Sequence, residues 1–323
     1  MNIYKIAQEA GVSIATVSRV LNNKPGVRDE TRACVEAALR QNKYTPSAIA
    51  RGLVSKTTNT VGIMTADIRV PRYASLVFYV ERELYKMDYN VILCNTGGMG
   101  ISDTSIKYLN MLAERGASGV VLVGPVLTLN ELPKIPFISI NAPLQAQNAC
   151  SVQVNYDHGM ALCLGHLREK SRAGILYVQD TETFSGNMKA EAFLKNAPLY
   201  GVDADSSCVF KANQGFEGGK QVADQIIKRG KPFSAIIFGD DAAAAGGMAR
   251  LQQLGRKIPG DVAVIGWNNT LFSQTASPQI TTVDDKAEVI GIFAAKLLEN
   301  ILERKQTTPS ISLDPDLIIR EST

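Results

Sequence analysis

Apolar residues fall at helical spacing through the first 45 positions of the chain and in short unbroken runs from about residue 60 onward. In "IYKIAQEAGVSIATVSRVLN", Ile3, Ile6, Ala7 and Ala10 share one helical face, and Gly11 then interrupts the pattern. Ser13 follows as an N-cap, and Val17, Val20 and Leu21 form the stripe of a second helix. A third segment, 29–42, aligns Val35, Ala38 and Leu39. Two short helices joined by a glycine-containing turn predict a helix-turn-helix, which the third helix closes into a small bundle.

Beyond residue 60 the runs VGIMTA, VILCN, GVVLV and PFISI are separated by stretches of period 3.6. One carries Leu76, Val80, Leu84 and Met87, and another passes through Tyr108 and Leu112. After Val154 the alternation resumes with a helix through Leu162 and Leu167, followed by GILYV, SCVF, SAIIFG and VAVIG. Strands alternating with amphipathic helices predict βαβ units and parallel sheets, an α/β class.

Between the two patterns lies "YTPSAIARGLVSKTTNTVG". Its AIARGL hexapeptide reads as about one and a half helical turns between Pro46 and a threonine-rich run. So short a helix does not repay its nucleation cost in isolation.

Composition adds little except through its distribution. The chain has 323 residues, 45% hydrophobic and 20% charged, which suits a globular protein of about two domains. No run of about 18 uncharged apolar residues and no signal-peptide order is present, so a cytoplasmic protein without membrane spans is expected. The five cysteines (Cys34, Cys94, Cys150, Cys163 and Cys208) are scattered, without CxxC spacing, and are expected as buried free thiols; no metal or cofactor is implied. Net charge is +3 overall, but residues 1–59 contain nine Lys/Arg against four Asp/Glu. A basic head on a near-neutral body points to a polyanion bound by the head alone.

If the second helix enters a DNA major groove, its N-terminal part faces base edges. Arg19 can then fork onto guanine O6 and N7, while Ile14 and Ala15 offer apolar surface to a thymine methyl. Thr16, Ser18, Asn22 and Tyr4 supply hydroxyl and amide contacts to phosphate, and Ser13 at the helix start is counted among the DNA-binding residues. A protein-binding bundle is the alternative for the same helices. Enzymatic readings find little: "TGGMG" lacks GxGxxG order, and His158 and His166 lack a nucleophile motif.

"VSIATVSRVLN" followed by "KYTPSAIARGL" resembles the lactose-repressor/galactose-repressor family of bacterial transcription regulators. "IPGDVAVIGWNN", "PQITTVD" and "DPDLIIREST" are similar to its closing motifs in order and spacing. The resemblance covers the full chain. It implies a helix-turn-helix headpiece (1–45), a hinge helix and linker (46–59), and a periplasmic-binding-protein-like core of two Rossmann-like subdomains (60–323). The implied subdomains are 60–154 with 284–310 and 155–283 with 311–323. It further implies that the hinge helix enters the minor groove, with Ser47, Ala48 and Ala50 at its contacts and Leu53 as an apolar wedge between base pairs. Gly52 weakens that helix, so it is expected to order only on DNA.

The resemblance also implies an effector cleft lined by Arg72, Tyr73, Ser185, Lys189, Phe210 as aromatic platform, Asp240 and Asn268. Departures from the family pattern are Lys189 in place of an arginine, Arg72 in place of an aromatic, and asparagine where aspartates are expected at 141, 155 and 268. Fewer acids and an added arginine favour an anion such as a sugar acid or sugar phosphate over a neutral sugar. The implied assembly is a homodimer on a pseudo-palindromic double-stranded operator. Its control is by a carbohydrate-like effector through reciprocal linkage, repressor being the commoner outcome in the family. Control by a partner protein and, more remotely, a solute-binding protein without DNA function are the alternatives.

Overall fold

The computed structural model describes residues 3–21, 25–42, 59–97, 103–124, 134–142, 149–179, 183–305 and 310–323. The chain divides into two compact units, Met1–Thr58 and Asn59–Thr323.

In the first unit, helices α1 (Ile3–Glu9), α2 (Ile14–Leu21) and α3 (Asp29–Gln41) surround Ile6, Ala7, Ala10, Val17, Val20, Val35 and Ala38, all buried. The turn between α1 and α2 uses Gly11 at φ +64, in the left-handed region where a Cβ is unfavourable. The Ser13 hydroxyl then accepts the Thr16 N–H at 3.2 Å, capping α2. Asp29 and Glu30 in the first turn of α3 and Arg40 in its last complement the helix dipole. Asn22 and the hinge residues Ser47, Ala48, Ala50 and Leu53 lie outside the described residues.

The second unit runs β1 (Thr60–Thr65), α4 (Pro71–Lys86), β2 (Asn90–Asn95), α5 (Asp103–Glu114), β3 (Gly119–Val123), β4 (Phe137–Ile140) and β5 (Ala149–Val154). It continues with α6 (Tyr156–Glu169), β6 (Ile175–Gln179), α7 (Phe184–Asn196), β7 (Val209–Lys211), α8 (Gly215–Arg229), β8 (Ala235–Phe238) and α9 (Asp241–Gln253). Then come β9 (Ala263–Trp267), α10 (Leu271–Thr275), β10 (Thr281–Asp284), α11 (Ala287–Leu302), β11 (Ser310–Leu313) and β12 (Asp316–Ile318). The strands form two six-stranded sheets, β11-β5-β4-β3-β1-β2 and β12-β10-β9-β8-β6-β7. Every pairing is parallel except β10 with β12. Interior strands such as β3 and β8 are buried along their whole length, as both faces are covered by helices.

The chain passes between the sheets after β5, after β10 and between β11 and β12. The last passage was expected at residue 310, but Ser310–Leu313 pairs with β5 in the first sheet, so it falls at residues 314–315. The first and third passages are tied together: the Asn155 N–H donates to the Leu313 carbonyl at 2.9 Å, and Asn155 Nδ2 donates to Asp314 Oδ1 at 2.8 Å. The same Asn155 caps α6 by accepting the His158 N–H, and its donation to Asp314, which an aspartate could not make, accounts for asparagine at a position that the resemblance gave to an aspartate.

Of the cysteines expected to be buried, Cys94, Cys150 and Cys163 are, whereas Cys34 is exposed on α3 and Cys208 is half-buried. Among the described residues no helix is long and apolar enough to cross a membrane.

Candidate functional site

The head presents a polar face built by α2. Val17 and Val20 turn inward, which leaves Ser13, Ile14, Ala15 and Arg19 exposed, with Thr16 and Ser18 half-buried beside them. Ile14 is 38% exposed at the helix start and Tyr4 is 66% exposed on α1. The Ser13 hydroxyl lies 3.0 Å from that of Thr16, which joins both to the α2 N-terminus. Six of the described head residues named from the sequence therefore lie at the start of α2 or along it, outside its buried Val17 and Val20 stripe, and the seventh, Tyr4, is exposed on α1.

In the second unit, the loops that follow the carboxyl ends of the strands converge on a narrow cleft with about 30 Å³ of free volume. That is the place where parallel α/β sheets bind ligands. From the first sheet, the β1–α4 connection brings Arg72 and Tyr73, the end of β3 brings Gly124, and the end of β4 brings Asn141. From the second, β6 is followed by Ser185 and Lys189 on α7, β8 by Asp240, and β9 by Asn268, while Asp285 follows β10. Gly124, at φ +106, lets the Tyr73 ring close over it, since a Cβ there would fall 3.0 Å from the ring. Asn141 and Asn268 take φ of +60 and +94, a region that asparagine tolerates better than most residues.

Six of the seven expected effector residues thus meet at one cleft: Arg72, Tyr73, Ser185, Lys189, Asp240 and Asn268. Phe210 is not among its lining residues. Its ring packs into the apolar cluster with Val178, Val222 and Phe238, and the Arg229 guanidinium lies over it at 5.0 Å. On the three-residue β7 its side chain is buried, and the aromatic rings that line the cleft are those of Tyr73 and Tyr156.

The polar groups of the cleft are mutually braced. Asp240 caps α9 through the N–H groups of Ala242 (2.8 Å) and Ala243 (3.2 Å), and its other oxygen accepts Asn268 Nδ2 at 3.2 Å. Burial pushes its pKa up, against those bonds and the Lys189 charge. Lys189 Nζ donates to the Gly239 carbonyl at 2.6 Å and stands 5.1 Å from the Trp267 ring centre. Asp285 meets Arg72 Nη2 at 3.1 Å and accepts the Trp267 indole N–H at 2.6 Å.

Asp285 changes the charge count. The sequence suggested an excess of positive charge, but Arg72 and Lys189 face Asp240 and Asp285, and the formal charges balance. The signal available was a pair of adjacent aspartates at the end of β10; the partnership with Arg72 spans most of the core sequence and leaves no local pattern.

Behind the cleft, Asp241 is wholly buried and accepts bonds from the Thr270 N–H (2.6 Å), the Thr270 hydroxyl (3.0 Å) and the Thr282 hydroxyl (2.5 Å). Burial, with Asp240 adding repulsion, pushes its pKa up to about 7. The folded state therefore binds this proton more tightly than the unfolded chain does. Its stabilising contribution is full below about pH 4 and is lost as pH rises toward 7. Urea unfolding of Asp241→Asn is expected to lose the part of the wild-type decline between pH 4 and 7 that this group causes. An unchanged slope would place the titration elsewhere.

Comparison with known proteins agrees with both units. Residues 2–47 match the family described as bacterial regulatory proteins, lacI family, and residues 164–323 match a periplasmic binding protein-like domain. Catabolite control protein A of Priestia megaterium is 29% identical over 331 residues, 100% of this chain and 99% of that protein. The transcriptional repressor PurR of Vibrio atlanticus is 29% identical over 334 residues, 99% of this chain and 98% of that one. Among solved structures, a lac repressor dimer bound to operator and the anti-inducer ONPF superposes with a TM-score of 0.87 at 20% identity, over 100% of this chain and 98% of that one. A CelR–cellobiose complex gives 0.73 at 22%, with both chains wholly covered. With its helix-turn-helix head, its two-sheet binding-protein core and full-length relatives that are transcription regulators, the chain belongs to the lacI family of bacterial DNA-binding transcriptional regulators.

Proposed function

We propose that this regulator is a cytoplasmic repressor that binds a pseudo-palindromic operator as a homodimer, and that a small carbohydrate-like molecule in the cleft sets its operator affinity. The observation that carries the reading is the cleft itself, in which side chains from both sheets converge beside the passages that join them. A ligand that touches both halves alters their relative position, and its differential affinity for the two arrangements is what reaches the DNA. The relatives support each part: one is named a repressor, one solved structure is a dimer on operator, and another holds cellobiose. Ser13, Ile14, Ala15, Thr16, Ser18, Arg19 and Tyr4 are the described residues assigned to DNA, and the hinge residues are assigned with them by resemblance.

Selection of bound fragments from random duplex DNA by the full-length protein tests this reading. The expected product is a sequence with two-fold pseudo-symmetry, bound by two chains per duplex. A single chain per duplex, or enrichment without symmetry, would overturn it.

A further inference from the structure

Arg72 has the least complete bonding in the cleft. Its side chain is 7% exposed and its Nη2 lies 3.1 Å from Asp285 Oδ2, yet among the described residues none of Nε, Nη1 and Nη2 has an acceptor in hydrogen-bonding geometry. A guanidinium carries five N–H donors, and buried donors are nearly always met. Asp285, by contrast, is already committed, because its Oδ1 holds the indole N–H of Trp267. Trp267 ends β9 in the second sheet, whereas Arg72 begins α4, which follows β1 of the first. The contact therefore spans the two halves at the second passage between them. In the same cleft Asn141 Oδ1 is buried without a donor. The unmet groups are a forked cation and one acceptor, which together fit a molecule bearing an acidic group with two equivalent oxygens beside a hydroxyl.

We infer that Asp285 is an internal stand-in for the acidic group of the effector. An effector carboxylate or phosphate takes the Arg72 fork in bidentate fashion, while Asp285 stays on Trp267. This rests on the cleft being the effector site, and it adds both the chemical class of the ligand and the event that reports it. The incoming acid replaces a direct contact between the halves with one that runs through the ligand. Ligand charge is met by Arg72, and Lys189, beside the Trp267 ring, remains to offset the released Asp285. A neutral sugar lacks the charge needed to displace a carboxylate from a guanidinium, so anion selectivity follows from competition even though the formal charges of the cleft balance.

Trp267 is the only tryptophan of the chain, so its emission reports on this contact in the intact protein. The probes are D-gluconate and D-glucuronate as carboxylates, D-glucose 6-phosphate as a phosphate, and D-glucose as the neutral control. At least one acid is expected to shift the emission saturably, and the arm that does so distinguishes carboxylate from phosphate. Arg72→Gln is expected to raise that midpoint at least about tenfold, and Arg72→Lys, which keeps the charge but not the fork, to raise it less. Asp285→Asn is expected to lower it several-fold by removing the competitor. The proposal is overturned if no acid shifts the emission, if Arg72→Gln leaves the midpoint unchanged, or if Asp285→Asn weakens the acid. Should Arg72→Gln fail to fold by circular dichroism, Asp285→Asn alone decides by the direction of its shift. A response to glucose equal in wild type and Arg72→Gln would sink the exchange and leave the effector site standing. Silence of the whole panel in both emission and operator binding counts against both.

Discussion

Replacing Trp267 with alanine is expected to destabilise the core by about 3–5 kcal/mol, the largest effect of any single truncation proposed here. Its side chain is wholly buried at the end of β9 and packs among residues of both halves. The Tyr156 ring lies 6.2 Å away at 51°, and helix α6 approaches so closely that a Cβ on Gly159 would come within 2.9 Å of the indole. Little can collapse into the space, because Gly159 has no side chain to lend and the neighbouring Asp285 and Lys189 are polar.

Trp267→Phe separates the two contributions. Phenylalanine fills much of the volume but has no donor for Asp285 Oδ1, which loses its 2.6 Å bond in a nearly dry site. A stranded buried acceptor costs about 1–3 kcal/mol, more when charged, so the phenylalanine variant is expected between wild type and alanine. Urea unfolding followed by circular dichroism measures all three, since both variants lack tryptophan fluorescence. Phenylalanine matching wild type would mean that the indole–carboxylate bond contributes nothing; phenylalanine matching alanine would mean that packing does not.

The two units were legible in the sequence for different reasons. The head followed from three helical stripes, the Gly11 turn and the Ser13 cap, all of them local signals that the structure reproduces at the same residues. The sheets followed from apolar runs such as GVVLV, because strands covered on both faces need no polar alternation. β11 escaped for the converse reason. It is a half-exposed edge strand reading SISL, and only its register with β5 assigns it to the first sheet.

The cleft residues were placed by resemblance rather than by any local pattern, and the structure brings Asp240 and Asn268 there just beyond β8 and β9. Phe210 was placed by resemblance alone, because a three-residue strand does not reveal which face it turns inward. Asp285 was missed because its meaning lies in Arg72 and Trp267, one of them distant in sequence and both brought to it by the closing of the fold.

Arg19→Ala is expected to weaken binding to the selected operator by about 1–3 kcal/mol per half-site, or about 5–150-fold for each head engaged. Arg19 is exposed on α2 one turn beyond Ile14 and Ala15, on the face opposite the buried Val17 and Val20. A guanidinium that forks onto a guanine edge from that position makes two parallel N–H bonds, and its loss is then expected to relax selection at one base pair in each half-site. A phosphate contact behaves differently: its loss weakens all sequences alike and reduces the salt slope by about one. Arg19→Lys keeps the charge and gives up the fork, so it is expected to retain the salt slope while losing most of the base preference. Repeating the selection with both variants therefore identifies what Arg19 touches. Unaltered base preference with a shallower salt slope for alanine would reassign it to the backbone and leave Ile14 and Ala15 as the readers of sequence.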